Sequence, residues 1–262
     1  MAQQAITTAE WLQLLQVGTL DVKGVLPWSS NYSFLVNICP NTAVWEAFPT
    51  LPRNAFDDIR AVYKPRRGER PLWDFTQGTL CQRERAAFLV SDALGWDLIP
   101  PTVLREGDHG TGSVQLFITH DPEAHYFTFE GEPLFRDALQ KTVILDIIIN
   151  NADRKAGHVL LEEREEGDRL WLIDHGICFH TEYKLRTVIW EFAGEPIPAD
   201  LLTDLETFSN KLATNEGGLR TNLTRLLAQA EVEALQKRTL RLYHEAKFVS
   251  PGPGRHYPWP PV

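Results

Sequence analysis

The chain has 262 residues and a formal net charge of −9, from 26 basic and 35 acidic residues. This acidic balance disfavours nucleic-acid partners, because nucleic-acid binding depends on the neutralisation of phosphates by Lys and Arg. It also disfavours docking on anionic membranes, where each basic residue near the surface contributes about 1 kcal/mol.

The location expected from the sequence is the cytoplasm. No apolar run approaches the roughly 20 residues that span a bilayer, so we expect no transmembrane segment. The first fifteen residues carry no basic region before their apolar stretch, which is not the pattern of a signal peptide. The three cysteines are widely scattered, which favours a reducing compartment over a disulfide framework.

The first part of the chain is predicted to be rich in strands. A short helix with Thr8 as its N-cap comes first, and residues 40–56 are expected to be irregular because they contain three prolines and two asparagines. A helical period over 82–94 ends at Gly95. The predicted strands are 22–26 and 34–38, which form a hairpin, then 59–64, 103–105 and 114–118.

The second part is predicted to be mostly helical. A helix over 133–149 becomes fully apolar at its end, so that end should be buried. A polar loop, 150–158, and a β-hairpin with strands at 159–161 and 170–173 follow, and residues 199–247 are again helical. From Ser250 onward five prolines predict an extended segment that is largely unpacked unless Trp259 docks.

The polar loop and the end of the hairpin bring three chemically active residues together. Asp153, His158 and Asp174 are expected at the mouth of the small two-stranded sheet. Phosphoryl transfer needs one carboxylate near the attacking hydroxyl, and a second carboxylate with a neutral ligand on a divalent cation. The pattern therefore favours a phosphotransferase site.

Several sequence blocks resemble the phosphatidylinositol 3-/4-kinase-like superfamily, especially type II phosphatidylinositol 4-kinases and an actinobacterial-type group of bacterial proteins. Residues 151–154 (Asn-Ala-Asp-Arg) and 174–176 (Asp-His-Gly) are similar to the catalytic and metal-binding loops of that superfamily. Upstream, residues 61–65 resemble its lysine-bearing strand, 84–88 its glutamate-bearing helix and 112–118 the strand that enters its hinge.

The resemblance implies an α+β, two-lobed, protein-kinase-like fold with nucleotide bound between the lobes. The expected domains are a strand-rich N-lobe over 1–118, a helical C-lobe over 119–249 and a Pro-rich tail over 250–262. The implied activity is ATP-dependent phosphotransfer with Mg²⁺ or Mn²⁺. A protein or small-molecule acceptor is favoured over a lipid, because the chain is acidic.

The resemblance also implies roles for individual residues. Asp153 would be the proton acceptor for the acceptor hydroxyl, and Arg154 and Lys155 would clamp the γ-phosphate or screen the acid. Lys64 would reach the α/β-phosphates with Glu84 as its ion-pair partner. The phosphate-covering turn would use Ser29, Ser30 and Asn31, the adenine would pair with backbone at Gln115, Phe117 and Ile118, and the metal ligands would be Asp174 with His158 or Asn151.

Some of these assignments have alternatives. Asp153 could be a turn residue after two asparagines, and His158 could be a loop histidine that orients Asp153 instead of a metal ligand. Imidazole suits Mn²⁺ better than Mg²⁺, so His158 affects which metal is expected. Residues 175–180 hold two histidines and a cysteine, but no second ligand pair at zinc-finger spacing accompanies them.

Two functional alternatives also stand beside the phosphotransferase interpretation. A catalytically dead pseudokinase or scaffold would bind nucleotide without transfer, and His158 together with a turn that lacks a glycine repeat favours it. The same fold could instead transfer AMP or a glutamate.

Overall fold

The computed structural model describes residues 6–27, 31–48 and 58–262. The chain divides into two compact units, one formed by Met1–Arg85 with Pro100–Phe117 and the other by Ala86–Ile99 with Ile118–Val262. Within the described part, no helix is long and apolar enough to cross a membrane.

The first unit is built on a five-stranded antiparallel sheet with the strand order β1-β2-β3-β5-β4. β1 and β2 form the predicted hairpin. The strand bounds are β1 (Thr19–Val25), β2 (Phe34–Cys39), β3 (Arg60–Pro65), β4 (Thr102–Gly107) and β5 (Gly110–Leu116).

The alternation of buried and partly exposed residues along β3 places Lys64 on the face opposite the core. Ala61, Tyr63 and Pro65 are buried, and Val62 and Lys64 between them are only partly buried. Successive side chains of a strand point to opposite faces, so Lys64 cannot join the apolar cluster around Ala61 and Tyr63.

Two helices of the first unit begin at side-chain caps. α1 (Thr8–Val17) begins after Thr7, whose hydroxyl accepts the N–H of Glu10, so the predicted cap at Thr8 is wrong by one residue. α2 (Thr42–Ala47) begins after Asn41, whose side chain accepts the N–H of Val44. The expectation of irregular backbone is therefore wrong for 42–47, because this cap initiates a helix directly after Pro40.

Helix α3 (Leu80–Leu94) starts in the first unit and continues into the second, since the division falls between Arg85 and Ala86. The Glu69 carboxylate accepts the N–H groups of Leu80 and Cys81, at 3.1 and 2.8 Å. A carboxylate at a helix N-terminus stabilises the free N–H groups there. The start of α3, and with it the position of Glu84, is thereby fixed.

The second unit is mainly helical, with one two-stranded sheet. Its longest buried element is α5, in which ten of fourteen residues are buried, as predicted for its apolar end. The elements are α4 (Tyr126–Phe129), α5 (Arg136–Ile149), β6 (Val159–Glu162), β7 (Arg169–Leu172), α6 (Ala199–Thr214), α7 (Leu219–Thr224) and α8 (Gln229–Glu245).

The C-terminal segment is mostly exposed and is attached at a few points. The carbonyl of Pro261 accepts the N–H of Ala156 at 2.8 Å, and the carbonyl of His256 accepts the N–H of Thr187 at 3.1 Å. The rings of His256 and Tyr257 contact Trp190, while Trp259 remains 77% exposed. The segment is therefore largely unpacked, as expected where Trp259 does not dock, but it is not free of the second unit.

Gly112 allows the close approach of β5 to β3. A Cβ atom there would lie 2.5 Å from the carbonyl oxygen of Lys64 and 2.7 Å from the Cα of Pro65. We expect Gly112→Ala to lower the free energy of unfolding by about 1–3 kcal/mol, because backbone atoms must move to admit the methyl group. Urea denaturation measures this loss.

The matched control is Gly24→Ala in the same sheet, where a Cβ atom would meet nothing within 4 Å. It should change stability by no more than about 0.5 kcal/mol. Equal effects of the two substitutions would show that the β3–β5 contact does not limit side-chain size.

Candidate active site

In the first unit, Lys64 and Glu84 form the ion pair that the sequence predicts. Lys64 Nζ lies 2.5 Å from Glu84 Oε1, and their side chains are 21% and 4% exposed. β3 supplies the lysine and the first turns of α3 supply the glutamate. A buried carboxylate holds a lysine in one place, which is the arrangement that a phosphate-binding ammonium group needs.

The predicted phosphate-covering turn is described only at its last residue. Ser29 and Ser30 lie outside the described residues. The side-chain oxygen of Asn31 accepts the N–H of Arg70 at 2.8 Å, and the N–H of Tyr32 bonds to the carbonyl of Gly68. The end of this turn is therefore attached to the loop that follows β3.

The backbone of the predicted adenine-binding segment is largely occupied by sheet hydrogen bonds. Gln115 pairs with Val62 on one side and with Thr102 on the other, and its side-chain amide donates to the Thr102 hydroxyl. The N–H of Phe117 bonds to the carbonyl of Arg60 at 3.0 Å. Gln115 and the N–H of Phe117 are therefore used within the sheet, and their predicted pairing with adenine needs correction. The predicted pairing of adenine with the backbone of Ile118 stays a prediction.

In the second unit, the residues that follow α5 form a rigid loop. Asn150 adopts a left-handed backbone conformation, with φ of 55°, that asparagine tolerates better than most residues. Its side-chain amide donates to the carbonyls of His180 and Glu182, at 2.8 and 2.6 Å. One side chain thus fixes the direction in which the chain leaves the helix.

Asn151 supports Asp153 and does not present a metal ligand. It is fully buried, its amide nitrogen donates to Asp146, and its side-chain oxygen accepts the N–H of Asp153 at 3.0 Å. The alternative assignment of Asn151 as a carbonyl ligand to the metal is therefore wrong, because that oxygen already forms a turn with Asp153.

Asp153 is a partly buried carboxylate with cations beside it. Lys155 Nζ lies 3.3 Å from Asp153 Oδ2, and both side chains are partly exposed. Burial raises the pKa of Asp153 above its ordinary value, while the charges of Lys155 and Arg186 oppose that rise. A carboxylate with a raised pKa is a stronger base than a free one, and the two cations favour its ionised form.

Arg154 points away from Asp153 into the interior. Its side chain is 0% exposed and forms an ion pair with Asp146 at 2.9 Å. The same guanidinium donates to the carbonyls of His158 and Ile173 and bonds to Nε2 of His175 at 2.7 Å. The expectation that Arg154 clamps a phosphate or screens the acid is wrong, because every direction of its planar fork is used inside the protein.

The bond to Arg154 also determines the tautomer of His175. A guanidinium only donates hydrogen bonds, so Nε2 of His175 must accept and the ring proton must lie on Nδ1. This neutral histidine follows Asp174 directly, so the position of Asp174 depends on the same network.

Asp174 and His158 approach each other at the end of the hairpin. Nε2 of His158 lies 3.4 Å from Oδ2 of Asp174, and the Asp174 side chain is 42% exposed. Asp174 has a φ of 59°, a left-handed conformation that turns the chain sharply after β7. His158 therefore lies beside Asp174, while its Nδ1 accepts the N–H of Lys155 at 3.5 Å in the loop that carries Asp153, so the metal-ligand and loop-histidine assignments both stay predictions.

The donor set fits a divalent cation. Adjacent ligands of an octahedral ion with bonds of about 2.1 Å lie about 3 Å apart, close to the observed separation of the His158 and Asp174 donors. Within the described residues no group of three or more His, Cys, Asp or Glu side chains could hold a metal alone. A cation here would take its remaining ligands from phosphate oxygens and water, as Mg²⁺ commonly does.

Comparison with known proteins decides the family. The family model described as phosphatidylinositol 3- and 4-kinase matches residues 105–231. Protein Rv2133c of Mycobacterium tuberculosis is 35% identical, over 94% of this chain and 94% of its own length. The chain belongs to the same family as that protein, within the phosphatidylinositol 3-/4-kinase-like group.

Other similarities agree with this family. Phosphatidylinositol 4-kinase gamma 4 of rice is 32% identical over 41% of this chain and 22% of its own length. Among solved structures, the Golgi casein kinase with Mn/ADP bound has a TM-score of 0.57 at 15% identity, over 91% of this chain and 75% of that one. A Helicobacter pylori proinflammatory kinase has a TM-score of 0.51 at 9% identity.

These findings confirm the predicted kinase-like fold and the prediction of a kinase-like phosphotransferase. The two residues of the site that sequence reasoning missed are Asp146 and Arg186. Asp146 carries a signal in retrospect, because it is the single charge in the apolar run 143–149. Arg186 carries none, since its position beside Asp153 depends on hydrogen bonds of its backbone to Asn151 and Arg154.

The Asp146–Arg154 ion pair should be essential for stability. Asp146→Asn would leave a fully buried guanidinium without a counter-charge, so we expect a loss of about 3–5 kcal/mol of unfolding free energy. Chemical denaturation monitored by far-ultraviolet circular dichroism measures this loss.

Asp137→Asn is the control on the same helix. Asp137 pairs with Lys141 at 2.7 Å on the surface, with the aspartate side chain 64% exposed, so its replacement should cost about 0.5 kcal/mol or less. A similar small loss for Asp146→Asn would contradict the importance of the buried pair.

Proposed function

We propose that the protein transfers the γ-phosphoryl group of ATP to a hydroxyl of a protein or small-molecule acceptor. One observation carries this proposal: Arg154 holds two loops in place. Asp153 and Lys155 lie on one loop and Asp174 lies on the other, and all three side chains are partly exposed. The Lys64–Glu84 ion pair supports the nucleotide-binding part of the proposal, because a buried carboxylate fixes the ammonium group that would contact the phosphates.

Asp153 would accept the proton of the attacking hydroxyl. The hydroxyl oxygen forms a bond to the γ-phosphorus, the bond from that phosphorus to the bridging oxygen breaks, and ADP leaves. Lys155 keeps the Asp153 carboxylate ionised and offers an ammonium group to the transferring phosphoryl oxygens. Lys64 would hold the α/β-phosphates, with Glu84 fixing its position.

Asp174 and His158 would hold a divalent cation that neutralises charge on the phosphates. An imidazole beside a carboxylate favours Mn²⁺ over Mg²⁺. The Golgi casein kinase, a fold neighbour, has a solved structure with Mn/ADP bound, which agrees with the same preference.

An acceptor other than a lipid is favoured by charge. The net charge of −9 opposes approach to an anionic membrane surface, although the plant relatives carry the name phosphatidylinositol 4-kinase. The proposed location remains the cytoplasm.

Asp153→Asn should separate catalysis from nucleotide binding. We expect the variant to bind an ATP analogue and Mn²⁺ as the wild type does, because Asp153 serves the acceptor side. Transfer should fall by about 10²–10⁴-fold, the contribution typical of a general base. Calorimetry measures the binding of the ATP analogue. Transfer is measured as labelled phosphate incorporated into the acceptor or into the protein itself.

Lys64→Met is the matched comparison, since it should lose nucleotide affinity as well as transfer. If Asp153→Asn transfers phosphate at the wild-type rate, a group other than Asp153 acts as the base. Binding without transfer in the wild type would favour the pseudokinase alternative. Intact-mass analysis of incubated protein distinguishes addition of phosphate from addition of AMP or glutamate.

The dependence of transfer on pH should report Asp153. Because burial raises the pKa of this carboxyl, the rate should fall on acidification at a pH above its ordinary value of 3.8. Lys155→Met removes the charge that lowers this pKa most, so the acidic limb of kcat should move to higher pH. Lys141→Met, a surface lysine of α5, should leave the profile unchanged. A shift in the opposite direction in Lys155→Met would show that Asp153 is not the titrating base.

A further inference from the structure

A cavity of about 350 Å³ lies in the second unit, and its lining includes none of Asp153, Lys155 and Arg186. The end of α5, helix α8 and the segment after α8 form its walls. Ile147, Leu242 and Val249 contribute apolar surface, Tyr183 an aromatic ring, and Arg238 and Arg241 positive charge. The cavity therefore combines a mostly apolar wall with cations, as small-molecule sites commonly do.

Arg238 is a partly buried cation whose hydrogen bonds go to neutral groups. Its Nε donates to the carbonyl of Ile148 at 2.7 Å and its Nη1 to the carbonyl of His180 at 3.2 Å. Its Nη2 is buried and has no hydrogen-bond acceptor within the described part of the chain. Burial lowers the pKa of this guanidinium to about 10.

A partly desolvated charge of this kind is stabilised by an opposite charge close to it. Within the described residues Arg238 forms no ion pair, and the more distant charge of Glu231 opposes the effect of burial on its pKa. Arg154, in contrast, has Asp146 at 2.9 Å. Arg241 on the same wall is exposed and already paired with Glu245 at 2.7 Å. The three charged residues of the lining therefore sum to +1.

We propose that this cavity binds a small amphipathic anion, with a hydrocarbon body against Ile147, Leu242 and Val249 and a carboxylate or phosphate head near Arg238. A guanidinium recognises both heads with charge-assisted hydrogen bonds. The apolar wall favours an alkyl chain over a sugar or a free phosphate ion.

Occupation of the cavity would be sensed at the catalytic loop. The carbonyl of His180 that Arg238 holds also accepts the amide of Asn150, the residue that ends α5. An anion that binds Arg238 would add a direct counter-charge to the carbonyls that now contact it, and it would stabilise the start of the loop that carries Asp153. The binding itself does not depend on the proposed phosphotransfer.

The test uses the full chain with octanoate, octyl phosphate and octanol, which share a hydrocarbon chain and differ in charge. Isothermal titration calorimetry and thermal unfolding should show binding and stabilisation by the two anions. Octanol should bind about tenfold more weakly or worse, because it lacks the charge-assisted bond. Whichever anion binds more tightly identifies the head group.

Arg238→Gln should remove the preference for the anions, whereas Arg225→Gln, an exposed arginine outside the lining, should retain it. Val249→Trp fills the cavity and leaves Arg238 intact, so it decides the question even if Arg238→Gln does not fold. Octanoate binding to Val249→Trp at wild-type affinity, or equal affinity for octanol and octanoate in the wild type, would overturn the proposal.

Discussion

The buried ion pair between Asp146 and Arg154 is the interaction on which the arrangement of the candidate site depends. The guanidinium contacts the last turn of α5 through Asp146, the catalytic loop through the carbonyl of His158, and the strand end before Asp174 through the carbonyl of Ile173. Three segments that are distant in sequence thus share one rigid planar group. An apolar pair of the same volume could fill this space at less desolvation cost, but it could not orient two carbonyls and a histidine at once.

The chemistry of the loop follows from the opposite environments of neighbouring residues. Arg154 is wholly buried, whereas Asp153 and Lys155 on either side are partly exposed and lie 3.3 Å apart. The backbone of Arg154 bonds to the 186–188 segment on one edge, in an isolated parallel bridge with Thr187, so it is locally extended. In an extended segment successive side chains point to opposite sides, and this alone separates the structural cation from the two groups that face solvent.

The parts of the fold that could be predicted are those with a local signal. The alternation in β3 and the apolar end of α5 can be recognised from consecutive residues of the sequence. The order of the kinase-like blocks placed Lys64, Glu84, Asp153 and Asp174 on the elements where the structure has them. Arg154 and Asn151 were assigned wrongly because their roles depend on Asp146, which lies a helical turn or more away and is visible only after folding. The hydrogen bonds of the tail left no sequence signal, since they are made by the carbonyls of His256 and Pro261, which any residues could supply.

Two arginines contact the end of helix α5, and their charges are compensated differently. Arg154 binds a carboxylate of the helix itself, and its charge is matched within the protein. Arg238 is partly buried, donates to the carbonyl of Ile148, and has the more distant charge of Glu231 to oppose the effect of burial on its pKa. A fold that needed only a hydrogen-bond donor at this place could use an uncharged amide at lower desolvation cost. A full positive charge beside a largely apolar cavity therefore fits the proposed anion, and the end of α5 would then support the catalytic loop and the proposed second site together.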